Sequence, residues 1–164
     1  MKPTLYILCG YPFSGKTTLA RAIIELRPDC KHISVDEIKT GISDQSNDGI
    51  WEQAFAEAYR RTRRFLLKGQ SVIFDATNFL VKVRDKARTV AQASNADSRV
   101  IWVNTPQQEA KNRWLVNRQS KERKDVSDDD WLEVTGQFEI PGTRERTIEY
   151  CGEDIKDWIE ANLE

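Results

Sequence analysis

Eight residues near the start of the chain, Gly10-Tyr11-Pro12-Phe13-Ser14-Gly15-Lys16-Thr17, carry its densest chemistry. Their spacing, G-x-x-x-x-G-K-[ST], is that of a loop that wraps the phosphates of ATP or GTP. A triphosphate presents many acceptor oxygens at once. Gly10 and Gly15 leave backbone N–H groups free to turn inward as an anion nest. The backbone from Gly10 through Phe13, Ser14 and Gly15 to Thr18 is expected to line it. The positive end of a following helix adds to that field. Lys16 is expected to reach the β- and γ-phosphates, and the Thr17 hydroxyl to ligate Mg²⁺.

Two acids stand where such chemistry needs them. His32-Ile33-Ser34-Val35 reads as a strand that ends at Asp36-Glu37. A carboxylate at the carboxyl end of a parallel strand lies on the edge where open α/β sheets bind ligands, so Asp36 is a candidate general base. The other reading makes Asp36 the cap of the next helix. Ser71-Val72-Ile73-Phe74-Asp75 is a second apolar strand closed by an acid, like a Walker B strand whose Asp acts at the Mg²⁺ site. Ala76-Thr77-Asn78 follows as a turn over the same edge. His32, the one histidine, stands at the very start of its strand and is expected at the surface.

The elements that must position these groups alternate. Leu5–Cys9 is a short apolar run suited to a buried parallel strand, and the segment from Thr18 to Leu26 has helical apolar spacing. Gly41 to Gly49 is a polar loop. Ile50 to Lys68 is a long helix, ended by Gly69, with Trp51, Phe55, Ala58, Tyr59, Phe65 and Leu66 on its apolar face. Its Arg60, Arg61, Arg63 and Arg64 could meet a phosphate-rich acceptor, but a solvated face is the expected role for most of them. The helix from Val81 to Ser94 carries Lys82, Arg84, Lys86 and Arg88 on an expected solvated face, and Arg99–Val103 is a fourth strand. Gln107 to about Lys124 reads as a cation-rich helix, a lid over about 107–126, and Arg113, Arg118 and Arg123 are its phosphate-binding candidates. Ser127 caps a further helix with Trp131, Leu132, Val134 and Phe138 toward the core. A short strand over Thr147–Tyr150 and a helix to Leu163 close the chain. Alternating strands and helices imply a parallel sheet covered on both faces.

At 164 residues, with 25 basic and 26 acidic side chains and a net charge of −1, the chain reads as one soluble domain with no global pull toward nucleic acid or membrane. No apolar run approaches the ~20 residues of a membrane span. Cys9, Cys30 and Cys151 lack metal spacing and suit a reducing cytoplasm.

Gly10–Thr17, Ser34-Val35-Asp36-Glu37, Asp75-Ala76-Thr77-Asn78, the basic stretch Glu109 to Arg123 and Gln137-Phe138-Glu139-Ile140-Pro141 together resemble a known group. It is the P-loop kinases related to the kinase domain of polynucleotide 5′-hydroxyl kinase, among the zeta-toxin and polynucleotide-kinase-like AAA-type ATP-binding proteins. The resemblance implies a P-loop NTPase three-layer α/β sandwich, a parallel sheet of order 2-3-1-4-5 with helices on both faces, and a helical lid. It implies transfer of the γ-phosphate of ATP to a hydroxyl, first of all a 5′-OH polynucleotide end. Lys16 and Thr17 would handle phosphates and Mg²⁺, with Arg113 on the ATP side. Asp36 would be the base, and Arg118 or Arg123 the catalytic lid arginine. Lys39, Asp75, Thr77, Asn78 and Arg84 would serve the acceptor side, Asp75 also facing the metal. Lys39 departs from the pattern, since an arginine is expected three residues after the base and lysine is only a point charge. A small-molecule kinase, for a nucleoside or an antibiotic, and an ATPase or switch module without acceptor are the alternatives. The Asn-Lys-x-Asp motif of GTP specificity is absent.

Overall fold

Short runs of apolar residues with both faces to bury can only sit inside a sheet covered on two sides. In the computed structural model, which describes residues 1–42 and 49–163, they do. Five strands, β1 (Thr4–Cys9), β2 (Lys31–Ser34), β3 (Val72–Asp75), β4 (Asp97–Val103) and β5 (Ile148–Tyr150), form one sheet. The order is β2-β3-β1-β4-β5, every pair is parallel, and the order expected from the family resemblance is the one found. Of the polar loop expected over Gly41 to Gly49, residues 43–48 lie outside the described residues.

Alternation along the strands divides the core in two. Leu5, Ile7, Val72 and Phe74 face α3 (Ile50–Leu67) and α4 (Val81–Ala93) through Ala54, Ala58, Leu66, Ala87 and Ala91. Tyr6, Leu8, Ile73 and Ile101 face α1 (Lys16–Leu26) and α7 (Ile155–Asn162) through Leu19, Ile23, Trp158 and Ile159. The sheet therefore holds β1, with the glycine loop at its end, between two covered faces.

Several local expectations change. β2 stops at Ser34, and Val35 and Asp36 already belong to helix α2 (Val35–Gly41). The cationic helix α5 (Gln107–Ser120) ends four residues short of Lys124, with Lys121 in the left-handed region at φ 54°. The Asn117 amide explains the stop. It donates to Arg123 O and accepts from Arg123 N, each at 2.9 Å, so the chain folds back on Asn117 instead of continuing the helix. Ser127 does cap α6 (Asp128–Gln137), accepting from Asp130 N at 3.1 Å. Trp51, expected on the apolar face of its helix, and Leu132, expected in the core, are exposed at 43% and 65%.

Arg84 departs furthest from its expectation. Instead of a solvated face or an acceptor contact, its side chain is wholly buried. Its Nε and Nη2 donate to Glu145 at 2.6 and 3.1 Å, and Nη1 donates to Asn78 O at 2.8 Å and approaches Cys9 Sγ at 3.6 Å. Glu145 ends a 3-10 turn, Thr143–Glu145, so the pair ties the segment after α6 to the β3–α4 turn and the end of β1. Glu139 makes a second tie: its carboxylate accepts from Val81 N at 2.6 Å at the start of α4.

Removing one member of a buried ion pair strands the other charge, at a cost of about 3–5 kcal/mol, whereas an apolar replacement of both is close to neutral. Urea unfolding should therefore show Arg84→Leu less stable by about that amount, and Arg84→Met with Glu145→Leu recovering most of it. A single variant within about 1 kcal/mol of the parent would show that this pair is not a brace.

Candidate active site

The carboxyl ends of β1, β2 and β3 deliver the functional residues to one edge, as in open α/β sheets generally. Gly10 directly follows β1, and its N–H donates to Thr77 O at 3.1 Å, which fastens the loop to the β3–α4 turn. A Cβ on Gly10 would lie 2.9 Å from Val103 O and 2.8 Å from Ser14 Oγ, so the loop cannot pack here with a larger residue. Gly15 takes φ 101° and caps the start of α1, whose first residue is Lys16 rather than Thr18. Thr18, in that first turn, is exposed. Phe13 also has positive φ, at 63°, with its ring buried beside Ala110, Trp114 and Trp131. Thr105 Oγ1 holds Ser14 O at 2.7 Å. The loop is thus braced from β3, from the end of β4 and from α5.

Lys16 is the buried cation of this edge, 8% exposed. Its ammonium donates to Tyr11 O at 2.6 Å and Gly10 O at 3.1 Å. Burial pulls it down to about 8, against the pull of the Asp75 and Asp36 carboxylates. The Thr17 hydroxyl donates to Asp75 Oδ2 at 3.0 Å. Thr17 and Asp75 are hard oxygen donors side by side, the sparse protein share that Mg²⁺ takes when phosphates and water complete its shell. These two residues therefore fit the expected ion. Among the described residues no group of three His, Cys, Asp or Glu side chains forms an all-protein cage.

Asp36 is not a helix cap. Ser34 holds that position and accepts from Glu37 N at 3.3 Å. Asp36 occupies the first turn of α2 with its side chain still reached by solvent. Its carboxyl is raised above the ordinary range, first by the protein packed around it and then by the like charge of Asp75, with Lys16, Lys39 and Lys124 opposing. Lys39 lies one turn on from Asp36, with its ammonium 4.0 Å from the centre of the Trp51 ring.

Asn78 is buried beneath the turn, donating to Leu8 O at 2.7 Å, so it braces β1 and does not face open space. The cations of the expected lid divide. Arg118 is committed: it bonds Asp125, Asp128 and Val126 O and stacks over Trp114 at 4.2 Å. That network makes it a strut between α5 and α6, against its expected catalytic role. Arg113 pairs with Glu109 and donates to Phe13 O at 3.3 Å, beside the loop. Arg123 is exposed, has its backbone clamped by Asn117, and places its guanidinium 4.9 Å from the Phe13 ring. Its charge is close enough to lower Lys16.

Arg60 and Arg61 do not reach the glycine loop. Arg60 and Arg61 both bond Glu57, whose carboxyl the Arg60 and then Arg61 hydrogen bonds hold down near 2. Burial pushes the Cys9 thiol up to about 11, which leaves it a packing group. His32 was expected at the surface and is not there. It is half-buried, with Nε2 2.9 Å from Asp75 Oδ2. Its alternation with Ser34 along β2 was the available signal, since every second residue shares the Asp75 face. His32 and Ser34 also line a cleft of about 590 Å³ along the outer edge of β2, with Ile38, Gln53 and Arg61.

The same architecture occurs in known proteins. Kti12 of Chaetomium thermophilum, in complex with ADP-AlF3, is 22% identical with a TM-score of 0.74 over 98% of this chain and 99% of that one. The APS kinase CysC of Mycobacterium tuberculosis, in complex with AMPPNP and APS, is 15% identical with a TM-score of 0.71 over 98% of this chain and 95% of that one. A chain of the Pnkp1/Rnl/Hen1 complex is 25% identical with a TM-score of 0.61, over 76% of this chain and 44% of that one. The first two likenesses are likenesses of fold. The sequence itself matches a family described as AAA domain over residues 5–141, which spans the glycine loop, both acids and the cationic helix. On that match, and on the loop between β1 and α1 that carries it, the chain belongs to the AAA domain family and has the phosphate-binding-loop kinase fold.

Proposed function

We propose that this protein is an ATP-dependent kinase that moves the γ-phosphate of ATP to a hydroxyl. The observation that carries the reading is Asp36, freed from capping by Ser34 and sharing one electrostatic environment with Lys16 and Asp75. A nucleotide switch has no use for a basic carboxylate there. A transferase needs one to orient the attacking hydroxyl and take its proton. The raised carboxyl of Asp36 is better matched to that task than an ordinary aspartate.

In this mechanism the loop N–H groups and Lys16 bind the phosphates. Asp36 accepts the proton as the acceptor oxygen bonds to the γ-phosphorus. The bond from that phosphorus to the bridging oxygen breaks, ADP leaves, and Asp36 returns its proton to solvent. Mg²⁺, held with Thr17 and Asp75, would offset the charge on the phosphate oxygens. Arg123 supplies the mobile positive charge over the transferring group, and the segment over about 107–126 acts as its lid.

For the acceptor we favour a nucleic-acid 5′-OH end. Exposed Trp51 offers a stacking surface and Lys39 a cation one turn from Asp36, a pairing that suits a base and its phosphate. A small-molecule acceptor is the second reading, favoured by the cleft of about 590 Å³ with its polar Gln53 and Arg61. Transfer of labelled γ-phosphate to 5′-OH DNA, 5′-OH RNA, nucleosides and aminoglycosides decides between them. Labelled products from none of these, with ATP consumed, would overturn the transferase reading.

Three outcomes are expected with the acceptor so found. Asp36→Asn should lower kcat about a hundredfold or more, the usual scale for a general base, with the KM for ATP little changed. Near-normal kcat would remove Asp36 as the base. Arg123→Ala should lower kcat while the protein melts like the parent, and Arg118→Ala should lower the melting temperature. The opposite pattern would reassign the two arginines.

The third concerns pH. Lys16 in the free protein loses its proton near 8, and bound phosphate favours the charged form, so binding takes up a proton above that point. ATP affinity should therefore hold below about pH 8 and fall about tenfold per unit above it. Calorimetry in buffers of different ionisation heat reads both the affinity and the proton. An affinity flat from about pH 7 to 10 would contradict the Lys16 assignment.

A further inference from the structure

Thr17 and Asp75 meet at one oxygen, and His32 reaches the same atom. In the β2–β3 register His32 lies opposite Ile73, and Ser34 opposite Asp75. His32 and Asp75 therefore share a face of the sheet, one step apart diagonally. The imidazole Nε2 lies 2.9 Å from Asp75 Oδ2, the oxygen that also accepts the Thr17 hydroxyl at 3.0 Å. Asp75 is 4% exposed. A carboxylate only accepts, so at this contact the ring carries the proton on Nε2 and donates it.

Both contacts end on Oδ2, and they come from different elements, β2 and the first turn of α1. Two donors from fixed directions define the plane of the carboxylate as one donor cannot. Thr17 alone would hold Oδ2 from one direction only. A group that orients a metal-facing carboxylate sets the affinity of the site without touching the ion.

We propose that His32 is a positioning residue for the Mg²⁺ side of the site, acting through Asp75. The inference rests on the reading of Thr17 and Asp75 as the metal-facing pair. A histidine that merely satisfied a buried acid would contribute to folding and nothing else. The positioning role has a different signature: the Mg²⁺ requirement changes while the loop's own hold on phosphate does not.

The test uses the full chain and a fluorescent ATP analogue, and it needs no acceptor. The readouts are the Mg²⁺ concentration that half-maximally tightens binding, the affinity in EDTA, and the melting temperature without nucleotide. His32→Leu removes the donor at similar volume. His32→Asn stays polar but is too short to place an N–H at the Nε2 position, and it stands in if the leucine variant does not fold. His32→Gln can place an amide N–H there. Leucine and asparagine should each raise the Mg²⁺ half-point about tenfold or more, the scale for partners of metal ligands, with the EDTA affinity unchanged. Glutamine should stay within about threefold of the parent. A folded Leu or Asn variant with the parental half-point would overturn the proposal. So would equal weakening with and without Mg²⁺. Thr17→Val separates the two ways of failing. If it raises the half-point and the His32 variants do not, only the role of His32 falls. If it does not, the metal-facing reading falls and takes this inference with it.

Discussion

One buried ammonium organises the edge that carries the candidate site. Lys16 sits almost out of water with its charge directed at backbone carbonyls, and burial alone would strip its proton well below the usual lysine range. Asp75 and Asp36 push back, and the balance leaves it near 8. The other two charges act on Asp36 in turn, where Asp75 raises it and Lys16 lowers it. Asp36 is therefore not an independent group. On the proposed reading, a triphosphate entering the loop would bring negative charge beside Lys16, where Asp75 and Asp36 already act.

Such a cluster stays assembled only if the strands that carry it cannot slide. Gly10 is bonded to Thr77, Asn78 to Leu8, and Thr17 to Asp75, so β1, β3 and α1 are joined three times at one end. Beneath that layer, Arg84 and Glu145 bind the β3–α4 turn to the segment after α6, and Glu139 caps α4 from the same segment. The chain from Gln137 to Glu145 thus works as a strap that fixes the site's floor. Around the loop, Phe13 packs with Trp114 and Trp131, so movement of α5 and α6 would be felt directly at the phosphate site.

Much of this was legible in the chain. The glycine spacing, the apolar run before it and the acid closing β3 each had a local signature, Asp36 proved to stand in the first turn of α2 just past β2, and the strand order followed from the family resemblance. The features that escaped reading depended on partners far away in sequence. Arg84 looked like its neighbours Lys82 and Lys86, and nothing local marked Glu145, 61 residues on, as its counter-ion. His32 looked exposed because its partner lies 43 residues away. Helix α5 read as longer because its stop is an asparagine side chain bonding back to the backbone, and asparagine is common within and beyond helices alike. Hydropathy alone sends Trp51 inward, although an aromatic ring carrying a lysine on its face is stable at a surface.

The charge coupling among Lys16, Asp36 and Asp75 is central to the site, and the carboxyl carbon of Asp36 reports it directly. A carbon-13 NMR titration of the free protein should place Asp36 above the ordinary aspartate range of about 3.9. In Asp75→Asn the value should fall, because a like charge is gone. In Lys16→Ala it should rise, because the opposing cation is gone. An Asp36 carboxyl that titrates in the ordinary range and ignores both substitutions would contradict this coupling.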